Sequence, residues 1–534
     1  MAELDTDVLV VGGGLGGVAA ALAAVRGGRR VILTEQYAWL GGQLTSQAVP
    51  PDEHRWVEQF GVTRSYRELR DRVRGYYRQN YPLTERARQW RELNPGAGAV
   101  SKLCHEPPIA VAVLDAMLAP YRWSGRVRVL QPCTPVAATS DADRVTSVTI
   151  RYRDTSEETV ITAAYVLDAT ETGELLPLTG CEYVTGFESR SVTGEPSAPE
   201  EPQPLNMQAI SVCFAMDHVD GNHVIDKPAG YQTWRTYTPH FWGAPMFSWV
   251  SPSPRTGQLV RRIFGPNPDD DPLTLRSELS EEGGDVNLWT FRRIAARRNF
   301  IDGCYESDIT LVNWPMIDYF EAPVIEVGDA ALHLQRARDL SYSFFYWMQT
   351  EAPRLDGGTG FPGLRLRGDV TGSTDGLAMA PYIRESRRIK AQYTVVEQDL
   401  SLAVRGERGA VTYPDSVGVG MYRIDLHPST GGDHYIDIGA SPFQIPLGAL
   451  LPQRLTNLIA AGKNIGTTHI TNGCYRLHPI EWNVGEVAGM LAAHCISSDK
   501  RPAEVRSRTD YLLAFQKLLV ADGVELAWPR VTGY

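Results

Sequence analysis

Residues 7–11 (Asp-Val-Leu-Val-Val) form an apolar run rich in β-branched side chains, and the run breaks at once into Gly12-Gly13-Gly14-Leu15-Gly16-Gly17. Residues 18–24 then read Val-Ala-Ala-Ala-Leu-Ala-Ala, a helix-forming composition. Strand, glycine turn and helix in that order, with Gly12, Gly14 and Gly17 on a G-x-G-x-x-G spacing, admit few folds. Gly12 permits the tight turn out of the strand. Gly14 lets a pyrophosphate approach the backbone, and Gly17 lets the helix pack close to the strand. The helix start offers unpaired N–H groups and a partial positive charge to an anion. Residues 29–35 read as a second strand ending in Glu35, where a carboxylate accepts hydrogen bonds from ribose hydroxyls. These residues predict a β-α-β unit that binds a dinucleotide. The spacing by itself does not separate FAD from NAD.

The segment Leu40-Gly41-Gly42-Gln43-Leu44-Thr45 follows the acid closely. With it, the sequence resembles the FAD-dependent oxidoreductases of the glutathione-reductase-like superfamily. The resemblance implies that Gly41 and Gly42 lie near the pyrophosphate and lead the chain toward the flavin. It extends to Asp168-Ala169-Thr170-Glu171-Thr172-Gly173, similar to a strand end that touches the cofactor, with Glu171 where glycine is commoner. It extends again to residues 455–466, where 458–461 read as a buried strand and Gly462 as the turn after it. A helix over 479–493 follows, with Pro479 in its first turn and Gly485 and Gly489 forming a smooth face for close packing. In the superfamily the start of this helix points at the pyrimidine end of the flavin. Its dipole there is worth about 0.3–1 kcal/mol to a negative charge.

The resemblance spans residues 5–215 and 370–500. It looks closest to a branch related to the thiazole-biosynthesis and fumarate-reductase-type flavoproteins, which residues 206–209 (Asn-Met-Gln-Ala) and 381–388 (Pro-Tyr-Ile-Arg-Glu-Ser-Arg-Arg) also resemble. The implied fold is α/β, a Rossmann-like FAD-binding domain with an inserted α+β substrate domain. Residues 1–185 are expected to form the first part of the FAD domain and 186–440 the inserted cap. Residues 441–534 supply the closing strand and helix and a helical tail. The implied FAD contacts are Gly12, Gly14, Leu15, Gly17, Glu35 and Gln36 in the first unit, then Gly41, Gly42 and Gln43. Ala169 and Thr170, and finally Gly462 and Asn464, complete the set.

Composition narrows the partners. A chain of 534 residues with 43% hydrophobic and 22% charged residues is a multi-domain globular protein rather than a disordered one. Its net charge of −11 provides no general attraction to nucleic acid. Seven scattered cysteines without a C-x-x-C pair predict reduced thiols in a cytoplasmic protein and no zinc site. Residues 8–25 are apolar, but Glu3, Asp5 and Asp7 precede them where a secretion signal carries basic residues. No other stretch is apolar over about 18 residues, so no membrane span is expected. A homo-oligomer stays open.

Residues 189–204 are rich in Ser, Glu and Pro and read as a solvated loop, and residues 209–216 read as a strand of the second domain. Two aromatic groups stand out: Tyr231, Trp234, Tyr237, Phe241, Trp242, Phe247 and Trp249, then Tyr342 with residues 344–347. They admit two readings, a pocket for a planar substrate or a packed core or interface.

A flavin carries the redox chemistry, and the protein positions substrate and manages protons. Oxidation of an alcohol or amine needs a base, for which histidine is suited by its ordinary pKa of about 6.5. Of eleven histidines, His469 and His478 lie in the segment expected to pass the flavin, with Arg476 between them. His478 directly precedes the closing helix and is the first candidate for a chemical role. His469 is a second, and Arg476 is suited to a carboxylate or to anionic flavin. The first expectation is hydride transfer from a small organic substrate to flavin N5 in an oxidase or dehydrogenase, and the pocket reading of the aromatic groups would make that substrate aromatic. The alternatives are a flavin monooxygenase reduced by NAD(P)H and a non-catalytic flavin-binding protein.

Overall fold

The computed structural model describes residues 2–273 and 285–529. Its first strand, β1 (Ala2–Val11), begins five residues before the apolar run, and Val8 to Val11 are fully buried. Helix α1 (Leu15–Arg26) follows the glycine turn and is buried on every side except its last residue. A helix apolar all round needs cover on two faces. The central sheet provides one face and a C-terminal helix the other.

That sheet is built from β1, β2 (Val31–Thr34), β3 (Val127–Leu130), β4 (Cys133–Asp141), β5 (Arg144–Tyr152) and β6 (Glu158–Asp168), in the order β3-β2-β1-β6-β5-β4. β3, β2, β1 and β6 are parallel, and β4 and β5 form an antiparallel hairpin. The first half of β6 pairs with β5, and its last three residues pair with a strand from the far end of the chain.

Between these parts lies a second, antiparallel sheet. Its strands are β7 (Phe214–His218), β8 (Arg293–Ala295), β9 (Ile309–Val312) and β10 (Leu364–Leu366), in the order β8-β9-β7-β10. The strand expected over residues 209–216 is broken: Ile210–Ser211 pairs with Asp318–Tyr319, and β7 starts only at Phe214. Helix α2 (Ala330–Thr350) packs over this region. Its Phe344, Phe345 and Trp347 join Trp234, Trp242, Phe247 and Trp249 in one buried cluster. Most of the two aromatic groups therefore form a core. The segment over 189–204 is also less solvated than its composition suggests. Glu195 is buried, accepting bonds from the Thr468 hydroxyl at 2.6 Å and the Glu397 N–H at 2.8 Å.

The chain then forms the hairpin β11 (Ile424–Leu426) and β12 (Ile436–Ile438). It returns to the first sheet as β13 (Leu458–Ala460), parallel to β6. Helices α3 (His469–Tyr475) and α4 (His478–Ser498) follow, with Pro479 in the first turn of α4. The paired glycines of α4 face α1. A Cβ at Gly485 would lie 1.9 Å from the Gly16 carbonyl oxygen, and one at Gly489 would lie 2.2 Å from that of Ala20. Among the described residues, no helix is long and apolar enough to cross a membrane.

Candidate functional site

The registers bring four strand ends to one level: Val11 pairs with Thr34 and with Asp168, and Asp168 pairs with Ala460. The next residues, Gly12, Glu35, Ala169 and Ala461, therefore share the carboxyl edge of the sheet, where open α/β sheets bind ligands. Gly12 has φ +99°, and a Cβ on it would lie 2.3 Å from the Ala169 carbonyl oxygen, so no other residue fits there unstrained. A Cβ at Gly17 would lie 1.9 Å from the Gly12 carbonyl oxygen. Gly41, at φ +108°, donates its N–H to the Gly13 carbonyl at 2.8 Å, which joins the two glycine loops.

One cleft collects Gly12, Gly14, Glu35, Gln36, Gly42, Ala169 and Thr170. Leu15 and Gly17 are buried in α1 beneath it. Asn464 ties the far end in place: its amide donates to the Asp168 carbonyl at 3.0 Å and its oxygen accepts from Gly462 N–H at 3.3 Å. Thr170 donates to Asp168 from both its N–H and its hydroxyl. Glu35 accepts from the N–H groups of Gly13 and Tyr37, both at 2.8 Å. Burial pushes its carboxyl up to about 8, against those two bonds.

Residues that local patterns did not single out complete the cleft: Tyr37, Cys133, Pro135 and Glu174. Glu171, which departs from the superfamily pattern, reaches across it. Its Oε1 lies 2.8 Å from where a Cβ on Gly14 would stand and 2.7 Å from one on Gly42. Glu171 pairs with Lys463, whose Nζ is also 3.8 Å from Glu481 Oε2. Burial works to lower Lys463, but these two carboxylates hold it above its ordinary range. Glu481, in the first turn of α4, accepts from the Gly16 N–H at 3.4 Å and from the Gln43 amide.

Beyond Gly42 the cleft continues to the start of α4. The Gln43 amide donates to the Arg476 carbonyl at 3.0 Å. His478 is fully buried, and its Nδ1 accepts the Asp52 N–H at 3.0 Å. That bond uses the Nδ1 lone pair, so Nε2 carries the hydrogen. Burial pushes the imidazole down to about 3. His478 is thus a neutral hydrogen-bond donor. Arg476 donates to the Tyr382 hydroxyl at 2.9 Å and to the Asp425 carbonyl at 3.2 Å. His469 lies elsewhere: its Nδ1 is 2.9 Å from Glu385 and its ring stacks on Phe187 at 3.6 Å.

The residues fit FAD. The glycine turns admit a pyrophosphate and Glu35 suits a ribose. Beyond Gly42, Gln43 Oε1, both polar atoms of the Gln47 amide, Arg476 Nε and His478 Nε2 are buried without hydrogen-bond partners among the described residues. Such atoms require explanation, and donors mixed with acceptors suit the polar edge of an isoalloxazine.

A cavity of about 420 Å³ adjoins this end of the cleft. Its walls come from Asp52 and its neighbours, from Arg262, Arg292 and Trp314, and from the β11–β12 hairpin. Asp52 bonds His478 and Asp425 bonds Arg476, so the cavity and the cleft share a wall. His427 lines the cavity. Its Nδ1 is 2.6 Å from Asp318 Oδ2, and its Nε2 is 3.9 Å from Asp425 Oδ2. Asp318 Oδ1 accepts from the Ser211 hydroxyl at 2.6 Å and from Arg384 at 3.0 Å. Burial pushes Asp318 up, but Arg384 and His427 outweigh it and hold the carboxyl below its usual range. Burial and Arg384 lower His427, and Asp318 only partly opposes them. The result is a neutral imidazole with Nδ1–H held by a carboxylate and Nε2 left as its basic nitrogen, 3.9 Å from Asp425 Oδ2. No spacing pattern marks this pair, because 109 residues separate its members.

Buried acids give the protein a pH signature. Burial raises Glu35 to about 8 and Asp168 and Glu195 to about 7. Between the unfolded carboxyl pKa of about 4 and those values, the folded state binds more protons, so stability falls as pH rises. His54 and His105, lowered to about 4, and His478, at about 3, act in the opposite sense but only below about pH 6.5. The urea midpoint of FAD-free protein is expected to drop between about pH 6.5 and pH 8. An unchanged or rising midpoint would contradict this account.

The chain matches the family model described as "FAD dependent oxidoreductase" over residues 7–519. No curated protein matches it. A geranylgeranyl bacteriochlorophyll reductase-like protein from Thermoplasma acidophilum aligns at 12% identity and a TM-score of 0.32, covering 98% of this chain and 85% of its own. Mycobacterium smegmatis Sdh1 aligns at 12% identity and TM-score 0.32, over 93% and 69% of the two chains. The L-proline dehydrogenase from P. horikoshii aligns at 15% identity and TM-score 0.18, over 35% of this chain and only 25% of its own. Likenesses this distant carry no argument about activity. The match across nearly the whole chain does: the protein belongs to the FAD dependent oxidoreductase family and is an enzyme of that class.

Proposed function

We propose that the enzyme oxidises a small organic molecule bound in the 420 Å³ cavity, acting as an oxidase or dehydrogenase. The observation that carries this reading is His427, which lines that cavity and is paired behind it with Asp318. The volume suits a metabolite-sized ligand. Bound FAD supplies the two-electron acceptor. His427 Nε2 takes the proton from the substrate O–H or N–H as the adjacent C–H is oxidised. Asp318 holds the ring's tautomer and offsets the charge of the imidazolium. His478 donates from Nε2 toward the cofactor and takes no proton. Residues 186–440 serve as the substrate domain, with the aromatic cluster as its core. His469 plays a structural part in this reading.

Anaerobic mixing with a metabolite panel tests it. A substrate of the proposed kind bleaches oxidised flavin without any added reductant. Bleaching by NAD(P)H alone, with every panel compound inert, would instead support a monooxygenase.

A further inference from the structure

Two adjacent arginines at the edge of the second sheet are used very differently. Arg293, the first residue of β8, is fully engaged: its Nε donates to the Gly96 carbonyl at 2.7 Å, and its two Nη atoms donate to Asp270 and Asp308. Arg292 is also buried, at 9% exposed, and it lines the cavity. Its Nε and Nη1 have no hydrogen-bond partner among the described residues. The Asp52 carboxylate stands 3.6 Å from Nη1, beyond hydrogen-bond reach. A charged donor left unbonded in a protein interior is unfavourable, and the Asp52 charge alone does not supply the missing acceptors, so this point favours a ligand group that does.

We propose that Arg292 anchors a carboxylate of the substrate, which makes the substrate a small carboxylic acid that carries the oxidisable C–H. The inference rests on reading the cavity as the substrate site. A guanidinium presents parallel N–H groups in a planar fork, and a carboxylate matches that fork with two oxygens. The acidic neighbours decide between anions. Asp52 beside Arg292 and Asp425 on the same cavity wall oppose a phosphate dianion and tolerate a single negative charge. Two other arginines on the wall, Arg262 and Arg423, are already committed. Arg262 bonds Ser251 and Asp285, and Arg423 bonds Asp437. Arg292 thus sets substrate class by charge, and His427 acts on the group that loses its proton.

The test uses FAD-loaded protein and unreactive probes: acetate, propanoate and benzoate, each beside its neutral amide. Calorimetry reads binding, and the perturbation of the flavin absorbance reads its place. Carboxylates are expected to bind one per protein and to perturb the flavin, with the amides at least about tenfold weaker. Arg292→Met is expected to weaken carboxylate binding about 10- to 100-fold, with FAD content and amide binding unchanged. Should Arg292→Met fail to fold, Arg292→Lys carries the test, because it keeps the charge, loses the fork and is expected to bind carboxylates more weakly. Equal affinity for acid and amide, inorganic phosphate binding more tightly than any carboxylate, or a variant that binds like the parent would overturn the proposal. Binding is read without turnover, so it fails separately from the oxidase reading. Carboxylates held by Arg292 with no panel compound bleaching the flavin would keep the anchor and sink the proposed reaction.

Discussion

His427→Asn is expected to slow substrate-driven reduction of the flavin by about 10²–10⁴-fold, the range for loss of a positioned general base. The argument is geometric before it is electrostatic. Asp318 is fixed by Ser211 and Arg384, so its Oδ2 holds the His427 Nδ1–H and leaves Nε2 as the basic nitrogen of a residue that lines the cavity. Asparagine keeps the polarity and loses the basic nitrogen. The pH profile separates this role from a structural one. His427 lies below its ordinary value, so parent kcat/KM rises with pH through a limb below about pH 6.5. That limb disappears in the variant, while FAD content stays the same. Asp318→Asn should also be slow, because an amide no longer enforces the tautomer. A His427→Asn protein that reduces its flavin within tenfold of the parent rate would show that another group takes the proton.

The second large effect is expected in the cleft that fits FAD. Lys463→Met removes the cation that pairs with both Glu171 and Glu481. Lys463 and Glu481 are almost wholly buried, and Glu171 retains about a fifth of its side-chain exposure. Breaking a buried pair from one side costs about 3–5 kcal/mol, because the remaining charge stays uncompensated. The partly open Glu171 places the expectation at the lower end. FAD binding should weaken in parallel by about two orders of magnitude, because a pyrophosphate arriving at the start of α1 would meet two carboxylates and no ammonium. Glu171→Gln in the same chain should recover part of both losses, since it removes one of the stranded charges. Urea unfolding reads the stability and flavin fluorescence titration reads the affinity. A single variant with unchanged midpoint and unchanged affinity would mean that the ammonium is dispensable to both.

Much of the cleft that fits FAD is legible in the chain because its determinants are local. The turn at Gly12 needs a positive φ within a few residues of an apolar run, and both are visible in sequence. Glu35 closes a short strand, and Pro479 marks a helix start. The resemblance added the order of the distant segments, and the registers bring their strand ends to one level. The smooth face of Gly485 and Gly489 was readable too, although its partners, Gly16 and Ala20, were not. Histidine placement shows the limit. Nearness to the expected closing helix favoured His478, but the structure commits its Nδ1 to Asp52 and leaves it a donor.

The sequence by itself determined the dinucleotide-binding unit and the helix that closes it, because hydrophobic periodicity, glycine turns and helix starts are set by neighbours along the chain. Only the tertiary structure decided where the substrate chemistry can occur. His427 meets Asp318 across 109 residues, and Glu171 meets Lys463 across 292. Arg292 and Asp52 come within 3.6 Å from different parts of the fold. Sheet pairing and burial create those encounters and set the protonation of each group. No pattern within a window of sequence encodes a distance between two such windows.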